Sequence, residues 1–246
     1  MARPSSDPLV IHLTAVAFTA QKLLLPQLRY LRDHGYQVRI ACAPDQSGYP
    51  EELEQFEPLD IRFPRALRPM QVMKATRRLV KSLRAIQPDV LHLHTPAAAL
   101  PVRMIPRRLF PKDMKIFYTV HGYAHTWSDS PRDRVLQTLE KALSPRADIT
   151  FFQSREDLDK AKQHGFRGDL RYLGNGVQSD WFNVPKPERR GDLKLLYSGR
   201  LVREKGVLEL AAAVTACDGV ELAIAGAQLS SDRDGVESEV RSIAAS

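Results

Sequence analysis

The sequence predicts an α/β protein built from parallel β-sheets with helices on both faces. Short apolar segments of strand length alternate along the chain with longer segments whose apolar residues recur at helical spacing. The strand-like segments are almost continuously apolar, which is typical of strands covered on both faces. This alternation predicts crossover connections and a doubly wound sheet.

The composition narrows the class of protein. The chain has 246 residues, of which 43% are hydrophobic and 26% charged, so a disordered or collagen-like chain is excluded. A formal net charge of +7 favours an anionic partner, such as a nucleotide phosphate, an acidic lipid surface or nucleic acid. With only Cys42 and Cys217, a disulfide scaffold is not expected and a reducing compartment fits. No apolar segment reaches the ~18–20 residues of a membrane span.

The first part of the chain, residues 1–178, is predicted to form one domain. Its helices have identifiable ends: Gly35 stops the first, Pro88 follows the second, Ser130 caps the third, and Ser154 opens the fourth. The predicted helices cover residues 21–34 and 70–87, a segment after 130, and 154–165. The predicted strands are residues 9–13, 36–43, 89–94, 115–120 and 147–153.

A second domain is predicted after a linker. Residues 179–192 are rich in proline and charge and have no periodicity, as an inter-domain linker does. Residues 193–246 then begin a new unit, with strands at 193–198 and 220–225 around a helix at 207–216. So small a unit cannot bury both faces of its sheet, so we expect a domain truncated after its start. A natural single domain with a short appendage is the alternative.

The carboxyl ends of the strands are where ligands bind in open α/β sheets. The segment from Leu196 to Leu210 places charge at such an end. Gly199 permits a tight turn, Arg200 can form bidentate hydrogen bonds to phosphate oxygens, and Lys205 supplies a mobile positive charge. Gly206 leaves backbone N–H groups open at a helix N-terminus, which attracts phosphate. The segment is therefore an anion cradle or, alternatively, a surface turn with solvated charges; it matches neither GxxxxGK[ST] nor GxGxxG.

Four motifs along the chain resemble those of retaining glycosyltransferases of family 4, which have the GT-B fold. They occur in the family's order: Asp89–Pro96 (DVLHLHTP), Thr119–Gly122 (TVHG), Gly174–Val177 (GNGV) and Arg200–Gly206 (RLVREKG). The resemblance covers roughly residues 9–246 and is greatest to bacterial enzymes that assemble capsules, exopolysaccharides or lipid-linked oligosaccharides.

The resemblance implies a complete N-terminal Rossmann-like domain on the acceptor side, followed by the first part of a Rossmann-like domain that binds a nucleotide-sugar. The implied reaction transfers a hexosyl-type sugar, with retention, from a UDP- or GDP-sugar to a polysaccharide or undecaprenyl-linked acceptor. It implies no cofactor and no metal, because cationic side chains stabilise the leaving diphosphate. It also implies a cytoplasmic protein, with contact at the inner membrane face as a further expectation.

The resemblance also assigns roles to individual residues. Arg200 and Lys205, with Gly199 and Gly206, would bind the donor diphosphate, and both cations would act in catalysis. His121 would face the acceptor and the transferred sugar as a third catalytic residue, or else be a loop histidine held by backbone. The acceptor side of the cleft would be lined by Thr14, His94, Gly122 and Asn175.

Three details of these residues stay open. Asn175 lies between two glycines and suits a left-handed turn as well as a ligand contact. His92 and His94 point to the same strand face, so zinc binding would need a third ligand from elsewhere. The family's glycine-rich loop is replaced by the small residues of 14–20. Its paired glutamates would lie beyond this sequence, so the resemblance implies a donor pocket, and hence a catalytic site, that this sequence by itself does not complete.

Residues 62–87 carry eight basic residues and no acidic one. Basic amphipathic helices bind anionic lipid surfaces, so this segment predicts either membrane contact or a core-packing helix with a solvated basic face. Two other functions are alternatives to an active transferase. One is an inactive truncated homologue. The other is a nucleic-acid-binding module. The sequence argues against it, because it has no helix-turn-helix, RRM or zinc-finger signature and no interleaving of basic and aromatic residues.

Overall fold

The computed structural model describes residues 7–64, 68–123, 127–176, 182–183, 185, 193–228 and 234–244. The chain forms two compact units, Met1–Trp181 and Phe182–Ser246. The predicted linker at 179–192 lies almost wholly outside the described residues, as do Val177 and His125. Each unit is described by itself below.

The first unit contains a seven-stranded sheet in which every neighbouring pair is parallel, as predicted. The strand order is β3-β2-β1-β4-β5-β6-β7, so β1 pairs with both β2 and β4 and the chain winds outward in both directions. The strands are β1 (Leu9–Val16), β2 (Gln37–Ala43), β3 (Leu59–Asp60), β4 (Val90–Leu93), β5 (Lys115–Val120), β6 (Ile149–Phe152) and β7 (Leu170–Tyr172).

Helices connect these strands. Both predicted serine caps are confirmed: the Ser130 hydroxyl accepts from the Asp133 amide, and that of Ser154 accepts from the Asp157 amide, each at 3.2 Å. The helices are α1 (Ala17–Thr19), a π-helical turn (Ala20–Leu24), α2 (Leu25–Asp33), α3 (Glu51–Glu54), α4 (Pro69–Ile86), α5 (Pro96–Met104), α6 (Pro131–Leu143) and α7 (Arg155–Gln163). Among the described residues, no helix has both the length and the apolar composition needed to cross a bilayer.

The short elements are those that the sequence pattern missed. β3 and β7, at the two edges of the sheet, have only two and three residues. Strands this short show no periodicity in the sequence. α5 has proline at both Pro96 and Pro101, which conceals its helical character. The first strand is longer than predicted: β1 runs to Val16 and α1 begins at Ala17, so helix follows strand without a loop of small residues between them.

The core of the first unit lies on both faces of the sheet. On β2, Ala41 packs into the cluster that contains α4 and α5, whereas Ile40 and Cys42 pack into the cluster that contains α2 and α3. Successive strand residues therefore serve opposite faces, which explains the continuous apolar strands. The buried residues of α4 are Ala75, Leu79 and Leu83, whereas Met73 is exposed.

A buried ion pair joins α5 to α6. The Arg103 guanidinium contacts the Glu140 carboxylate at 2.7 Å, with both side chains 1% exposed. The guanidinium also lies 4.3 Å from the centre of the Tyr118 ring, and burial raises the pKa of that phenol. Arg103 is thus a core residue and not part of the basic surface.

The second unit has a two-stranded parallel sheet of β8 (Leu193–Ser198) and β9 (Val220–Ala225), at the predicted positions. Its helices are α8 (Val207–Thr215) and α9 (Glu237–Ala244). A small core forms from Leu201, Val207, Val236 and Val240. Leu196 on β8 remains 71% exposed, so one face of this small sheet is largely open.

Candidate functional site

The carboxyl ends of β1, β4, β5 and β6 meet at one edge of the first sheet, since these strands are neighbours and parallel. The amide of His94, directly after β4, donates to the Leu13 carbonyl of β1 at 3.0 Å. His121 and Gln153 follow β5 and β6 in the same way. The edge that the sequence predicted as a binding site is therefore lined by histidines and an amide.

Hydrogen bonds join these side chains in a row. His12 Nδ1 lies 2.9 Å from His94 Nε2, and His94 Nδ1 lies 3.1 Å from His121 Nε2. His121 Nδ1 lies 2.9 Å from the Gln153 Oε1 atom. The structure thus brings together two predicted site residues, His94 and His121, and adds His12 and Gln153, which the sequence analysis did not single out.

The four histidines of this region are neutral at pH 7, because burial penalises the imidazolium form. Burial lowers the pKa of His12 to about 3. It holds the pKa values of His92 and His94 well below the usual range, with unfavourable charge interactions among the rings adding to it. Burial also lowers the pKa of His121, while the hydrogen bond that its Nδ1–H donates to Gln153 Oε1 acts in the opposite direction.

One set of side chains has the composition of a metal site. The ligating nitrogens of His12, His92 and His94 lie within 4.8 Å of one another, so His12 supplies the third ligand that the sequence could not name. Two of the three rings already share the 2.9 Å hydrogen bond, and His92 Nε2 lies 2.8 Å from the Thr119 hydroxyl. The nitrogens would have to leave these bonds to bind a metal, so we interpret the set as a hydrogen-bonded cluster.

The other predicted acceptor-side residues lie apart from this row of bonds. Thr14 is buried, and its hydroxyl donates to the Val16 carbonyl at 2.9 Å. Gly122 and Asn175 are exposed. The left-handed residue of the later turn is Gly174, with φ +76°, whereas Glu57 and Gln87 are the described non-glycine residues with positive φ. The left-handed interpretation of Asn175 is therefore wrong.

In the second unit, the predicted anion-binding loop joins β8 to α8. The apolar pair Leu201 and Val202 is buried and anchors the loop, while Arg200 and Lys205 are exposed. Arg200 Nη2 contacts the Glu204 carboxylate at 3.0 Å. Gly206 has φ +68° and is the N-cap of α8, where no side chain caps the helix. The loop therefore presents two cations near an uncapped helix N-terminus, which suits an anion.

Gly226 is a residue of this loop region that the sequence analysis missed. A Cβ at this position would lie 1.9 Å from the carbonyl oxygen of Gly199, so the backbones approach too closely for any side chain. The approach arises because Ser198 and Ala225 are paired in register, which brings the next residue of each strand together. A glycine directly after each of two parallel strands was the available signal.

The sequence profile of glycosyltransferase family 4 matches residues 22–181, well over half of the chain. The chain belongs to glycosyltransferase family 4. It is 28% identical over 167 residues to EpsD of Bacillus subtilis (strain 168), whose name places it with glycosyltransferases. That alignment covers 66% of this chain and 42% of EpsD, so the chain spans less than half the length of this relative.

Solved structures show the same fold. Sucrose-phosphate synthase from Thermosynechococcus elongatus is similar with a TM-score of 0.69 at 17% identity, over 97% of this chain and 67% of that one. Anabaena HepE, solved with UDP and glucose, is similar with a TM-score of 0.69 at 16% identity, over 96% and 65%. With the parallel sheet of the first unit, these similarities define an α/β fold of the GT-B type.

Proposed function

We propose that the protein is a retaining glycosyltransferase that moves a hexosyl-type sugar from a UDP- or GDP-sugar to a polysaccharide or lipid-linked acceptor. The observation that carries the proposal is that the chain belongs to family 4. The carboxyl edge of its first sheet holds His94 and His121 side by side. HepE, a structure of the same fold, binds UDP and glucose, which supports a nucleotide-sugar as the donor.

The donor diphosphate binds the loop of the second unit in this proposal. Arg200 can form two parallel hydrogen bonds to phosphate oxygens once it leaves Glu204, and Lys205 adds a second charge. Gly199 and Gly206 keep side chains away from the ligand, and the first amides of α8 point to it. Cations fixed at the place where the leaving diphosphate gains charge stabilise the transition state without a metal.

The acceptor and the transferred sugar lie against the histidine edge of the first unit. A neutral imidazole at His121 accepts a hydrogen bond from a sugar hydroxyl and so polarises it near pH 7. Both nitrogens of His121 are already bonded, to His94 and Gln153, so a substrate hydroxyl must replace one of these partners.

In this proposal, the basic side of α4 contacts the cytoplasmic face of a membrane. The five cations of this side are exposed, and three of them, Arg77, Lys81 and Arg84, line a groove of about 350 Å³ between α4 and the residues after α5. The groove has an apolar floor of Val80, Ile105 and Leu109. An apolar floor with a basic rim is the chemistry that an anionic lipid surface fits. The five cations are Lys74, Arg77, Arg78, Lys81 and Arg84.

Release of nucleotide tests the reaction. The protein as its gene encodes it is incubated with UDP-glucose, UDP-galactose, UDP-N-acetylglucosamine or GDP-mannose and an oligosaccharide or polyprenyl-phosphate-linked acceptor, and free UDP or GDP is measured. We expect release that depends on acceptor with at least one donor, and an anomeric proton coupling in the product equal to that of the donor. Release no faster than in buffer with every pair would contradict transferase activity, and an inverted anomer would contradict retention.

A binding comparison separates this proposal from the nucleic-acid alternative. Calorimetry with UDP, GDP and a random oligonucleotide at 50 and 300 mM salt should show binding of a nucleoside diphosphate at both salts. Tighter binding of the oligonucleotide, lost steeply as salt rises, would instead support a nucleic-acid-binding module.

A further inference from the structure

The row of hydrogen bonds at the sheet edge has a definite direction. The Gln153 Oε1 atom is an acceptor, so His121 Nδ1 carries the proton and its Nε2 is the unprotonated atom. That Nε2 must accept from His94 Nδ1, and His94 Nε2 must in turn accept from His12 Nδ1. A neutral ring has one donor and one acceptor, so fixing one member fixes the others.

The buried end of the row agrees with this direction. His12 Nε2 is buried and has no hydrogen-bond partner among the described residues. In the direction given above this nitrogen carries a lone pair, whereas the reverse direction would leave a buried N–H without an acceptor. Buried N–H groups without partners are the rarer and costlier case. Neutral rings fit this arrangement. An imidazolium has no acceptor nitrogen, so a protonated ring could not accept a hydrogen bond from its neighbour in the row.

We propose that His12 and His94 are positioning residues: in the unliganded protein the Nδ1–H of His94 occupies Nε2 of His121 and so holds that ring in its Nδ1–H tautomer, and a sugar hydroxyl takes the place of His94 at this Nε2 when substrate binds. This inference rests on the proposed transferase function. His12 and His94 are 1% exposed, whereas His121 is half-buried at the end of β5, so the first two act through the third. The row fixes orientation and does not conduct protons, because the amide of Gln153 at its end cannot take one up.

Two substitutions of His12 separate a hydrogen-bonding role from a packing role. In His12→Asn, the side-chain amide nitrogen can occupy the place of Nδ1 and still donate to His94. In His12→Leu, the donor is lost at similar volume. We expect His12→Asn to keep turnover within about twofold of wild type, and His12→Leu to lower it roughly ten- to a hundredfold through misplacement of His121. His94→Asn, which retains a donor toward His121, is the second conservative variant.

The direct readout is the tautomer of His121, from long-range ¹H–¹⁵N correlation spectra of the metal-free protein, assigned by loss of its signals in His121→Gln. We expect the Nδ1–H form in wild type and His12→Asn, and a mixture of tautomers in His12→Leu. An Nε2–H form in wild type, or an unchanged His121 in folded His12→Leu, would overturn the proposal. Stoichiometric Zn²⁺ that moves the ring signals of His12, His92 and His94 would overturn it in favour of a metal site.

The same spectra separate this inference from the proposed function. If the wild-type protein shows the Nδ1–H tautomer of His121 but no turnover with any donor and acceptor, the transferase proposal and the positioning role both fall, and only the tautomer remains. If turnover is present and His121 has the other tautomer, the positioning role alone is wrong.

Discussion

At the residue scale, folding lowers the pKa of each buried histidine at the sheet edge. In the unfolded chain a histidine titrates near pH 6.5, whereas the folded protein holds the pKa of His12 at about 3 and those of His92 and His94 well below the usual value. Between these limits the unfolded state binds more protons than the folded state. The free energy of unfolding therefore falls as the pH falls.

The expected result is a loss of stability below about pH 6.5, by up to ~1.4 kcal/mol per pH unit for each such histidine. Urea unfolding followed by circular dichroism at pH 7.5, 6.5 and 5.5 measures it. His12→Asn removes one of these groups and should make the dependence shallower. Equal stability at pH 7.5 and 5.5 would show that the folded protein accepts these protons.

Arg200 and Lys205 carry the second prediction at this scale. Removing one positioned hydrogen-bond donor that stabilises charge in a transition state typically lowers turnover by about 10²–10³-fold. We therefore expect Arg200→Ala and Lys205→Ala each to lower kcat strongly while the far-ultraviolet circular dichroism spectrum stays that of wild type. The rate of UDP or GDP release is the measurement.

Arg203→Ala is the matched control for these two variants. Arg203 lies in the same loop, but its guanidinium contacts Glu239 of α9 at 3.0 Å. An exposed ion pair of this kind contributes ~0–1 kcal/mol, so its loss should change turnover little. Wild-type rates in both Arg200→Ala and Lys205→Ala would remove the loop from the donor site.

At the element scale, α4 shows how one helix can serve both the core and a surface. Ala75, Leu79 and Leu83 bury one side of it, and the cations occupy the rest. Two of these cations have local partners: Arg78 lies 3.5 Å from the Asp60 carboxylate, and Arg84 donates to the Leu109 carbonyl at 2.9 Å. Neither contact buries the guanidinium group, so the side of α4 that faces solvent remains basic.

The membrane proposal gives a prediction for this helix. Each basic residue near an anionic surface contributes ~1 kcal/mol, within a screening length of ~8 Å at physiological salt. We expect co-sedimentation with vesicles of phosphatidylglycerol and phosphatidylcholine, which weakens as salt rises. Changing Lys74, Arg77, Arg78, Lys81 and Arg84 to Gln should release the protein without unfolding it.

A second five-residue variant tests whether position or net charge matters. Arg132, Arg134, Lys141, Arg146 and Lys162 are also exposed, and changing them to Gln removes the same charge from other parts of the first unit. This variant should keep most of the vesicle binding. Equal loss in both variants would mean that net charge alone attracts the vesicles, and equal sedimentation with neutral vesicles would refute the membrane contact.

At the scale of the whole molecule, the two units differ in how their sheets are covered. The first has seven strands with apolar clusters on both faces, whereas the second has two strands and a core of a few side chains. Two-stranded sheets are marginally stable by themselves. Apolar side chains left in water, such as that of Leu196, add nothing to the stability of the folded unit.

Amide hydrogen exchange should therefore separate the units. We expect the slowest exchange in the central strands β1, β4 and β5, and exchange that is faster by orders of magnitude in β8 and β9, because local opening of a small unit costs less free energy. Mass spectrometry of peptic peptides gives the comparison within one sample. Equal protection of β8 and β1 would contradict the prediction.

The local features of the fold follow from the sequence. The strands at 115–120, 193–198 and 220–225 have the predicted bounds, and both serine caps form. These features depend on neighbours a few residues apart, through side-chain period and capping, so a linear sequence contains the information. The position of the histidine edge was also predictable, because the carboxyl ends of parallel strands lie at one edge of a sheet.

What only the tertiary structure decided are contacts between residues far apart in the chain. His12 meets His94 across 82 positions because β1 pairs with β4, and Arg103 meets Glu140 because α5 packs against α6. The sequence by itself determined the family resemblance, the parallel sheet and the candidate cations of the second unit. It could not determine which histidine completes the row at the sheet edge or which arginine is buried. Those outcomes depend on strand order and helix packing, and no local period encodes them.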